Sequence, residues 1–122
     1  MPLRYLLDEH FRGPLWRALQ QHNAGGTYPI DVFRVGDPAD LPLGSLDPDN
    51  LLWAERNGCV VVSFDKGTMP GHLASHLQAG HHSPGVYLVR KNATIPRVVD
   101  FLVISAYTTD PALLRDHYEY IP

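Results

Sequence analysis

Short apolar runs alternate along this chain with longer segments in which apolar residues recur at helical spacing. The runs are five to seven residues long and rich in Val, Ile, Leu and aromatic residues, which is typical of buried strands. They predict four strands: LRYLL (3–7), IDVFRV (30–35), CVVVSF (59–64) and PGVYLVR (84–90). The closing segment HYEYIP alternates polar and apolar residues and predicts a last edge strand that stops before Pro122.

The segments between these runs carry the signals of helices. In the clearest one, Asp47 is expected as the N-cap, Pro48 as the first helical residue and Gly58 as the C-terminal cap. Four helices are predicted in this way: FRGPLWRALQQH (11–22), DPDNLLWAERNG (47–58), residues 70–79 and IPRVVDFLVISAY (95–107).

Strands that alternate with helices predict an α/β fold with a largely parallel central sheet. The chain has 122 residues, which is close to the commonest domain size, so we expect one domain over residues 1–122. In parallel sheets, ligands bind where the carboxyl ends of the strands meet. That edge of the sheet is therefore where functional residues are expected.

The composition restricts the classes of function. The net charge of −3 gives no basic field for nucleic acid, so a polyanion would need a local basic patch or a bound cation. The single cysteine, Cys59, excludes a disulfide within the chain and is expected to be a small buried residue. No apolar run reaches the roughly 20 residues that span a membrane, and the N-terminal run is too short for a signal peptide. We therefore expect a cytoplasmic protein.

Acidic residues stand at several predicted carboxyl ends. Asp8 and Glu9 follow the first strand, and Asp65 follows the third. Asp49 lies at the start of the middle helix, and Asp37 follows the second strand. Carboxylate oxygens are the ligands that Mg²⁺ and Mn²⁺ prefer, so these residues predict a divalent-cation site. Such a cation would bind phosphate and activate water.

Three of these acids also have a purely structural interpretation. Asp65 is suited to capping the turn after its strand, and Asp8 to capping the first helix. Asp49 is favourable beside the positive end of its helix whatever its neighbours are. Spacing alone leaves both interpretations open.

The histidines suggest a second kind of site. His72 and His76 are four residues apart on one predicted helix face, a spacing that can bind zinc, and His81 and His82 follow. No glutamate lies between the pair, and the AGHHSPG segment has the composition of a loop. In the alternative that we prefer, His72 lies near Asp65 and contacts a phosphate or a catalytic water.

The order of these motifs resembles a known family. LLDEHF, DVFRVGD, DPDNLLWAERNGCVVVSFDKGTMPGHL and SPGVYLV follow one another as in the PIN-like domains of bacterial proteins, and more narrowly as in a small bacterial branch of them. The resemblance covers nearly the whole chain. It implies a three-layer α/β/α domain with a mostly parallel sheet of four to five strands, which binds Mg²⁺ or Mn²⁺ and cleaves RNA. Many such domains are homodimeric toxins that pair with a small antitoxin protein.

The resemblance also implies roles for particular residues. Asp8, Asp49 and Asp65 match the family's catalytic and metal-binding acids, and Glu9 follows the first acid as in this branch. The chain differs from many relatives at Gly67, where they have a second aspartate. Three clustered carboxylates repel one another, so at least one is expected to have a raised pKa until a cation binds.

Basic residues near these acids are candidates for binding the RNA backbone. Lys66 and Arg12 are adjacent in sequence to site acids, and we expect them, with His72, to contact the substrate phosphate. Arg90 and Lys91 follow the fourth strand and are placed to contact the backbone in the same way. The alternative for each is an ordinary exposed cation.

Two other classes of function remain open. A receiver-like phosphoacceptor domain would also have an aspartate after its third strand, here Asp65, but it needs a Ser or Thr where this chain has residues 90–92. A non-catalytic interaction module would use apolar surface residues, and Trp16, Trp53 and Tyr118 are candidates for a dimer face. Core packing is the preferred interpretation of these aromatic residues.

Overall fold

The computed structural model of the chain describes residues 2–8, 13–64 and 67–122. The described residues form five strands and five helices. The strands are β1 (Arg4–Leu7), β2 (Val32–Arg34), β3 (Cys59–Ser63), β4 (Val86–Val89) and β5 (Tyr118–Ile121). The helices are α1 (Pro14–Ala24), α2 (Asp47–Asn57), α3 (Met69–Gln78), α4 (Ile95–Thr108) and α5 (Pro111–Leu114).

The five strands form one parallel sheet in the spatial order β2-β1-β3-β4-β5. The prediction of an α/β fold with a largely parallel sheet is confirmed, and the predicted last edge strand is β5. The direction of winding reverses between β1 and β3, because β2 lies on one side of β1 and all later strands lie on the other. In doubly wound sheets, the carboxyl ends of the strands at such a reversal border the ligand-binding crevice.

Side chains that alternate across the sheet form two core layers. Tyr5, Leu7 and Val62 face the layer of α1 and α4. Leu6 and Val61 face the layer of α2 and α3. Because both faces of the sheet are covered at its centre, the central strands β1, β3 and β4 are largely apolar runs, as the sequence indicated. The architecture is thus the expected three-layer α/β/α arrangement.

Buried hydroxyl groups tie the sheet to α4. The Tyr5 hydroxyl donates a hydrogen bond to the main-chain oxygen of Leu102 at 2.7 Å. The Tyr87 hydroxyl is hydrogen-bonded to the hydroxyl of Ser105. A buried hydroxyl without a partner would cost free energy, so these bonds fix how α4 lies on the sheet. Burial raises the pKa of Tyr5 well above its usual value.

The predicted boundaries need corrections in the middle of the chain. Asp47 is not the N-cap of α2, because Leu46 occupies that position and no side chain caps the helix. The Asp47 side chain instead points toward His72 on α3. Gly58 ends α2 in the left-handed conformation, as predicted. The four-residue helix α5 carried no signal that we recognised in the sequence.

The aromatic residues considered for a dimer face lie in different environments. Trp53 is buried in the core, and its indole N–H donates to Asp40 at 2.9 Å. Trp16 is partly buried and packs against the core, with the Arg34 guanidinium above its ring. Only Tyr118 of the three is exposed. Cys59 is fully buried, as expected, and burial raises the pKa of its thiol to about 11.

Candidate functional site

Asp8 lies at the carboxyl end of β1, next to the reversal of the strand order. The register pairs Leu7 with Val62 on one side and with Arg34 on the other. One step further along the strands, Asp8 lies between Ser63 and Val35, and its N–H donates to the Val62 oxygen at 3.2 Å. The residue is 5% exposed. A carboxylate at this depth requires hydrogen bonds or a positive charge, which is typical of a functional position.

Ser63 shares the face of the sheet that Asp8 occupies. Asp8 is two residues beyond Leu6, and Ser63 is two residues beyond Val61, so both point toward the layer of α2 and α3. Ser63 is fully buried. Two neighbouring strands therefore end in oxygen-bearing side chains on one face.

Asn50 is a third buried polar residue at this edge. It lies in the first turn of α2, which begins at the carboxyl edge because its last residue leads into the amino end of β3. Asn50 is on the buried face of the helix together with Leu51 and Ala54. It is 3% exposed, and its Oδ1 is the one buried side-chain oxygen that has no hydrogen-bond partner in the described parts of the chain.

An unpaired buried acceptor costs roughly 1–3 kcal/mol, so a chain that keeps one at a ligand-binding edge suggests a role for it. An apolar side chain of the same size would fill this position on α2 without that cost. Asn50 was not recognised as a site residue from the sequence. The signal that could have found it is a polar residue at a position that helical periodicity assigns to the apolar face.

The two acids at the start of α2, Asp47 and Asp49, lie on different faces of the helix. Asp49, the predicted helix acid, is exposed and lies off the buried face. Asp47 lies three residues before Asn50 on the same face, and its Oδ2 is 3.9 Å from Nε2 of His72. Asp47 and His72 are thus brought together across α2 and α3 at the carboxyl edge. The metal-binding role of Asp49 stays a prediction.

Four predicted site residues lie outside the described part of the chain: Glu9, Arg12, Asp65 and Lys66. Their roles stay predictions from the sequence. Asp37, considered as an additional acid, is bound by the Arg34 guanidinium at 2.7 and 3.2 Å. That ion pair lies just beyond β2 at the same edge of the sheet.

Basic and aromatic side chains lie along this edge of the sheet, toward β5. Arg90 and Lys91 follow β4 and are both exposed. The Arg90 guanidinium lies 5.4 Å from the centre of the Tyr120 ring. Tyr118 and Tyr120 are adjacent on one face of β5 and are both more than two-fifths exposed. Exposed aromatic rings beside cations are the groups on which single-stranded nucleic acids stack.

An apolar pocket opens on the other face of the same edge. It has a volume of about 200 Å³ and lies between the first turns of α1 and α4. Phe64, which directly follows β3, forms one wall and is 41% exposed. The pocket is lined only by apolar side chains from the described ranges and holds no charged group from them.

The two histidines considered as a zinc pair do not share a site. His72 lies by Asp47, whereas His76 is buried near the end of α3 and contacts Glu55 and the main chain of His82. His76 thus belongs with His81, at the other edge of the sheet. The two residues are four apart because both belong to α3, which extends from the carboxyl edge of the sheet to the amino edge.

Comparison of the chain with models of protein families, with curated proteins and with solved structures finds no match. Membership of the PIN-like superfamily, suggested by the order of the motifs, therefore stays a prediction. Within residues 2–8, 13–64 and 67–122, no helix combines the length and apolarity that a membrane crossing requires.

Proposed function

We propose that this chain is a PIN-like domain that hydrolyses RNA phosphodiester bonds with Mg²⁺ or Mn²⁺ bound at the carboxyl edge of its sheet. The observation that carries the proposal is the set of buried oxygen donors on one face of that edge. Asp8 and Ser63 lie at the ends of neighbouring strands at the reversal of the strand order, and Asn50 is buried in the first turn of α2, which begins at the same edge.

The donor set suits a hard divalent cation. Carboxylate, amide and hydroxyl oxygens are the ligands that Mg²⁺ and Mn²⁺ accept. The cysteine on this face, Cys59, lies at the other, amino end of β3. The unpaired Oδ1 of Asn50 is a buried acceptor for which a cation would compensate. Asp8 and Asn50 are therefore the described residues that we expect to hold the cation, and Asp65, which follows β3 in the sequence, stays a predicted third ligand. Asp47, on the buried face of α2, is a stronger candidate than Asp49.

A bound divalent cation would lower the pKa of a water molecule and offset charge on the attacked phosphate. Residues of the chain orient the phosphate and provide charge around the cation. His72 is half-buried beside Asp47, where its ring can donate to a phosphate oxygen and Asp47 can hold the ring in place. The depth of Asp8 limits access of bulk water to its carboxylate, which strengthens the interaction with any cation bound there.

The surface beside the site supports RNA as the substrate. Arg90 and Lys91 place two positive charges side by side at the end of β4, in a chain whose net charge is −3. Tyr120 and Phe64 offer exposed aromatic surfaces on either side of these cations for stacking of unpaired bases. Single-stranded RNA suits this arrangement better than a duplex, because its bases are free to stack.

The experiment that tests the proposal combines metal binding with RNA cleavage. Calorimetric titration of Mn²⁺ into wild type, Asp8→Asn and Asn50→Leu is run beside a cleavage assay on unstructured RNA with and without EDTA. Asp100→Asn, a change of an exposed acid on α4, is the matched control. We expect EDTA-sensitive cleavage and Mn²⁺ binding in wild type and in the control, and the loss of both in the two site variants.

The Asn50→Leu variant separates function from stability. If Asn50 is a ligand, the variant loses Mn²⁺ binding yet is more stable toward urea by about 1–3 kcal/mol, because the unpaired acceptor is gone. Retained Mn²⁺ affinity in Asp8→Asn and Asn50→Leu would overturn the site. Metal binding without cleavage of any RNA would mean that the chain is a metal-binding interaction module and not a nuclease.

The proposed cellular role is that of the toxin in a toxin–antitoxin pair, as a homodimer held inactive by a small protein partner. It rests on the resemblance of the sequence motifs. Expression of the wild type should arrest growth, whereas Asp8→Asn should not, and light scattering of the purified protein should give the mass of a dimer. Equal growth with both proteins would contradict the toxin role.

A second candidate function is favoured by the strand order. The order β2-β1-β3-β4-β5 is also that of receiver domains, in which an aspartate after β3 accepts a phosphoryl group. The residue that follows β4 here is Arg90, where such domains need a hydroxyl side chain. Incubation with acetyl phosphate, followed by mass spectrometry of the intact protein, tests this alternative directly.

A further inference from the structure

A second cluster of ligand-bearing side chains lies at the opposite, amino-terminal edge of the sheet. Glu55 lies near the end of α2, His76 lies near the end of α3, and His81 follows in the loop that leads to β4. α2 and α3 both run from the carboxyl edge of the sheet to its amino edge, so their last turns lie close together at the amino edge. The cluster therefore shares no residue with the site of Asp8.

The three side chains converge on one carboxylate oxygen. Oε1 of Glu55 lies 3.0 Å from Nδ1 of His81 and 3.5 Å from Nε2 of His76. All three ligand atoms lie within 4.8 Å of one another, and the two imidazole rings are stacked with their centres 4.9 Å apart. Four ligands at about 2.0–2.1 Å around Zn²⁺ are about 3.3 Å from each other in a tetrahedron, so the two separations from Glu55 are close to those of a formed site.

We propose that Glu55, His76 and His81 bind a divalent transition-metal ion of the Zn²⁺ class, with water in the fourth position. Two imidazoles and one carboxylate are a donor set that Zn²⁺ accepts, and Mg²⁺ does not favour imidazole. The site is therefore chemically distinct from the oxygen-only site at the carboxyl edge.

Neighbouring groups already hold the carboxylate in position. Oε2 of Glu55 accepts a hydrogen bond from the His82 N–H at 2.8 Å, which leaves Oε1 for the two histidines. The His82 ring in turn contacts Asp116 at 2.9 Å, and Asp116 also accepts from the Ser83 N–H. Such outer contacts orient metal ligands and are a regular part of metal sites.

The electrostatics favour an ionised Glu55. The hydrogen bond from the main chain of His82 is the largest influence, and with the nearby histidines it holds the pKa of Glu55 below its usual value. The carboxylate is therefore charged at neutral pH.

The two histidines would give up hydrogen bonds when a cation binds. Nε2 of His76 lies 2.8 Å from the carbonyl oxygen of His82, so this nitrogen carries a proton and donates it. Nδ1 of His81 donates to Glu55 in the same way. A cation bound at these two nitrogens would replace the hydrogen bonds, and each neutral ring would then carry its proton on its other nitrogen, Nδ1 of His76 and Nε2 of His81.

The position of the cluster allows a cation and a further ligand to reach it. The His81 side chain is 44% exposed, whereas that of His76 is 4% exposed, so the cluster has a closed side and an open side. Glu55 also lines an open cleft of about 930 Å³ at the amino edge, with Arg4 and Arg115 on its walls. An anionic ligand of the metal would meet positive charge in that cleft.

The test is a titration of Co²⁺ and Zn²⁺ into protein prepared without a polyhistidine tag. Co²⁺ in a tetrahedral site absorbs visible light strongly, so absorption reports geometry as well as binding. The variants are His81→Ala, whose side chain is exposed and outside the core, and Glu55→Gln. His117→Ala is the matched control, because His117 is an exposed histidine whose ring, among the described residues, bonds only to the nearby carbonyl oxygen of Arg115.

We expect one equivalent of Co²⁺ to give tetrahedral absorption and Zn²⁺ to displace it and raise the melting temperature. His81→Ala should lose more than the about 10–100-fold in affinity that removal of an outer contact costs, and His117→Ala should bind as wild type does. Asp8→Asn should leave Zn²⁺ affinity unchanged, which distinguishes this site from the one in the proposed function.

The proposal is overturned if Zn²⁺ does not raise the melting temperature of the wild type. It is also overturned if His81→Ala and wild type bind Co²⁺ equally well. In either case the three side chains form only a hydrogen-bonded contact between α2, α3 and the loop. The melting temperature of His81→Ala in EDTA measures that structural contribution separately.

Discussion

Gly85 should be among the least replaceable residues of the segment that joins α3 to β4. Its φ of +129° lies in a region that residues with a side chain rarely adopt. A Cβ at this position would lie 2.3 Å from Cγ of Leu114 and 3.0 Å from each of its two δ carbons. Leu114 is 1% exposed and forms part of the core, so it has no free space to enter.

The backbone around Gly85 cannot move aside easily. Its carbonyl oxygen accepts from the Val61 N–H at 3.0 Å, and its N–H donates to the Ser83 hydroxyl at 3.0 Å. Gly85→Ala should therefore combine strained backbone, about 1–3 kcal/mol, with overpacking, about 1–3 kcal/mol. The sum of about 2–6 kcal/mol is a large part of the roughly 5–15 kcal/mol by which domains are stable.

Urea unfolding followed by circular dichroism measures this loss. The matched control is Gly71→Ala, since Gly71 lies in α3 with open space around it and alanine should stabilise the helix by about 0.5–1 kcal/mol. Leu114→Ala should cost about 2–5 kcal/mol in wild type but less in the Gly85→Ala background, because it removes the clash. A Gly85→Ala protein within about 0.5 kcal/mol of wild type would refute the reasoning. An equal cost of Leu114→Ala in both backgrounds would refute the clash in particular.

Three further predictions concern ionisable and buried groups. Partial burial raises the pKa of Asp116, but hydrogen bonds from Ser83 and His82 outweigh it and hold that pKa below its usual value. Asp116 thus stabilises the fold fully above the ordinary aspartate pKa and loses this effect as the pH falls through its lowered folded pKa. Asp116→Asn tolerates the residue's positive φ, and urea midpoints should show it destabilised more at pH 7 than at pH 3; an equal destabilisation at both pH values would contradict the role of the charge. Tyr5→Phe removes a buried hydrogen bond to α4 and should cost about 0.5–1.5 kcal/mol by urea unfolding, and an unchanged midpoint would contradict that role. Cys59 should resist alkylation at pH 8 in the folded protein and react at the rate of a free thiol in urea, because burial raises its pKa to about 11; equal rates would contradict its burial.

The sequence predicted the sheet well for a physical reason. A strand covered on both faces must be apolar throughout, so CVVVS stands out even without any knowledge of its neighbours. Helix ends with glycine in the left-handed conformation are equally local, and Gly58 was recognised on that basis. The position of Asp8 followed from the same logic, because the residue after a buried strand lies at the edge of the sheet.

The other site residues depend on contacts that are remote in sequence. Glu55 looked like an ordinary exposed helix residue, and only the packing of α2 against α3 brings it to His76 and His81. The spacing of His72 and His76 suggested one site, but a helix of ten residues that crosses the layer places them near different partners. Asn50 was missed because composition assigns an asparagine near a helix start to solvent or to a cap.

α2 connects the two candidate sites, which raises the question of whether they influence each other. Asn50 and Glu55 are five residues apart, about 7.5 Å along the helix axis, and the ligands of the two sites do not overlap. A rigid helix that has only one arrangement cannot transmit a shift between conformations, so we expect metal binding at the two sites to be independent.

In a cycle of Asp8→Asn, His81→Ala and the double variant, measured by urea unfolding without added metal, the changes in stability should add within about 0.5 kcal/mol. The Zn²⁺ affinity of the amino-edge site should likewise be the same with and without saturating Mg²⁺. A coupling larger than 1 kcal/mol in either experiment would mean that α2 or α3 shifts between two positions, and the two sites would then have to be treated as one linked system.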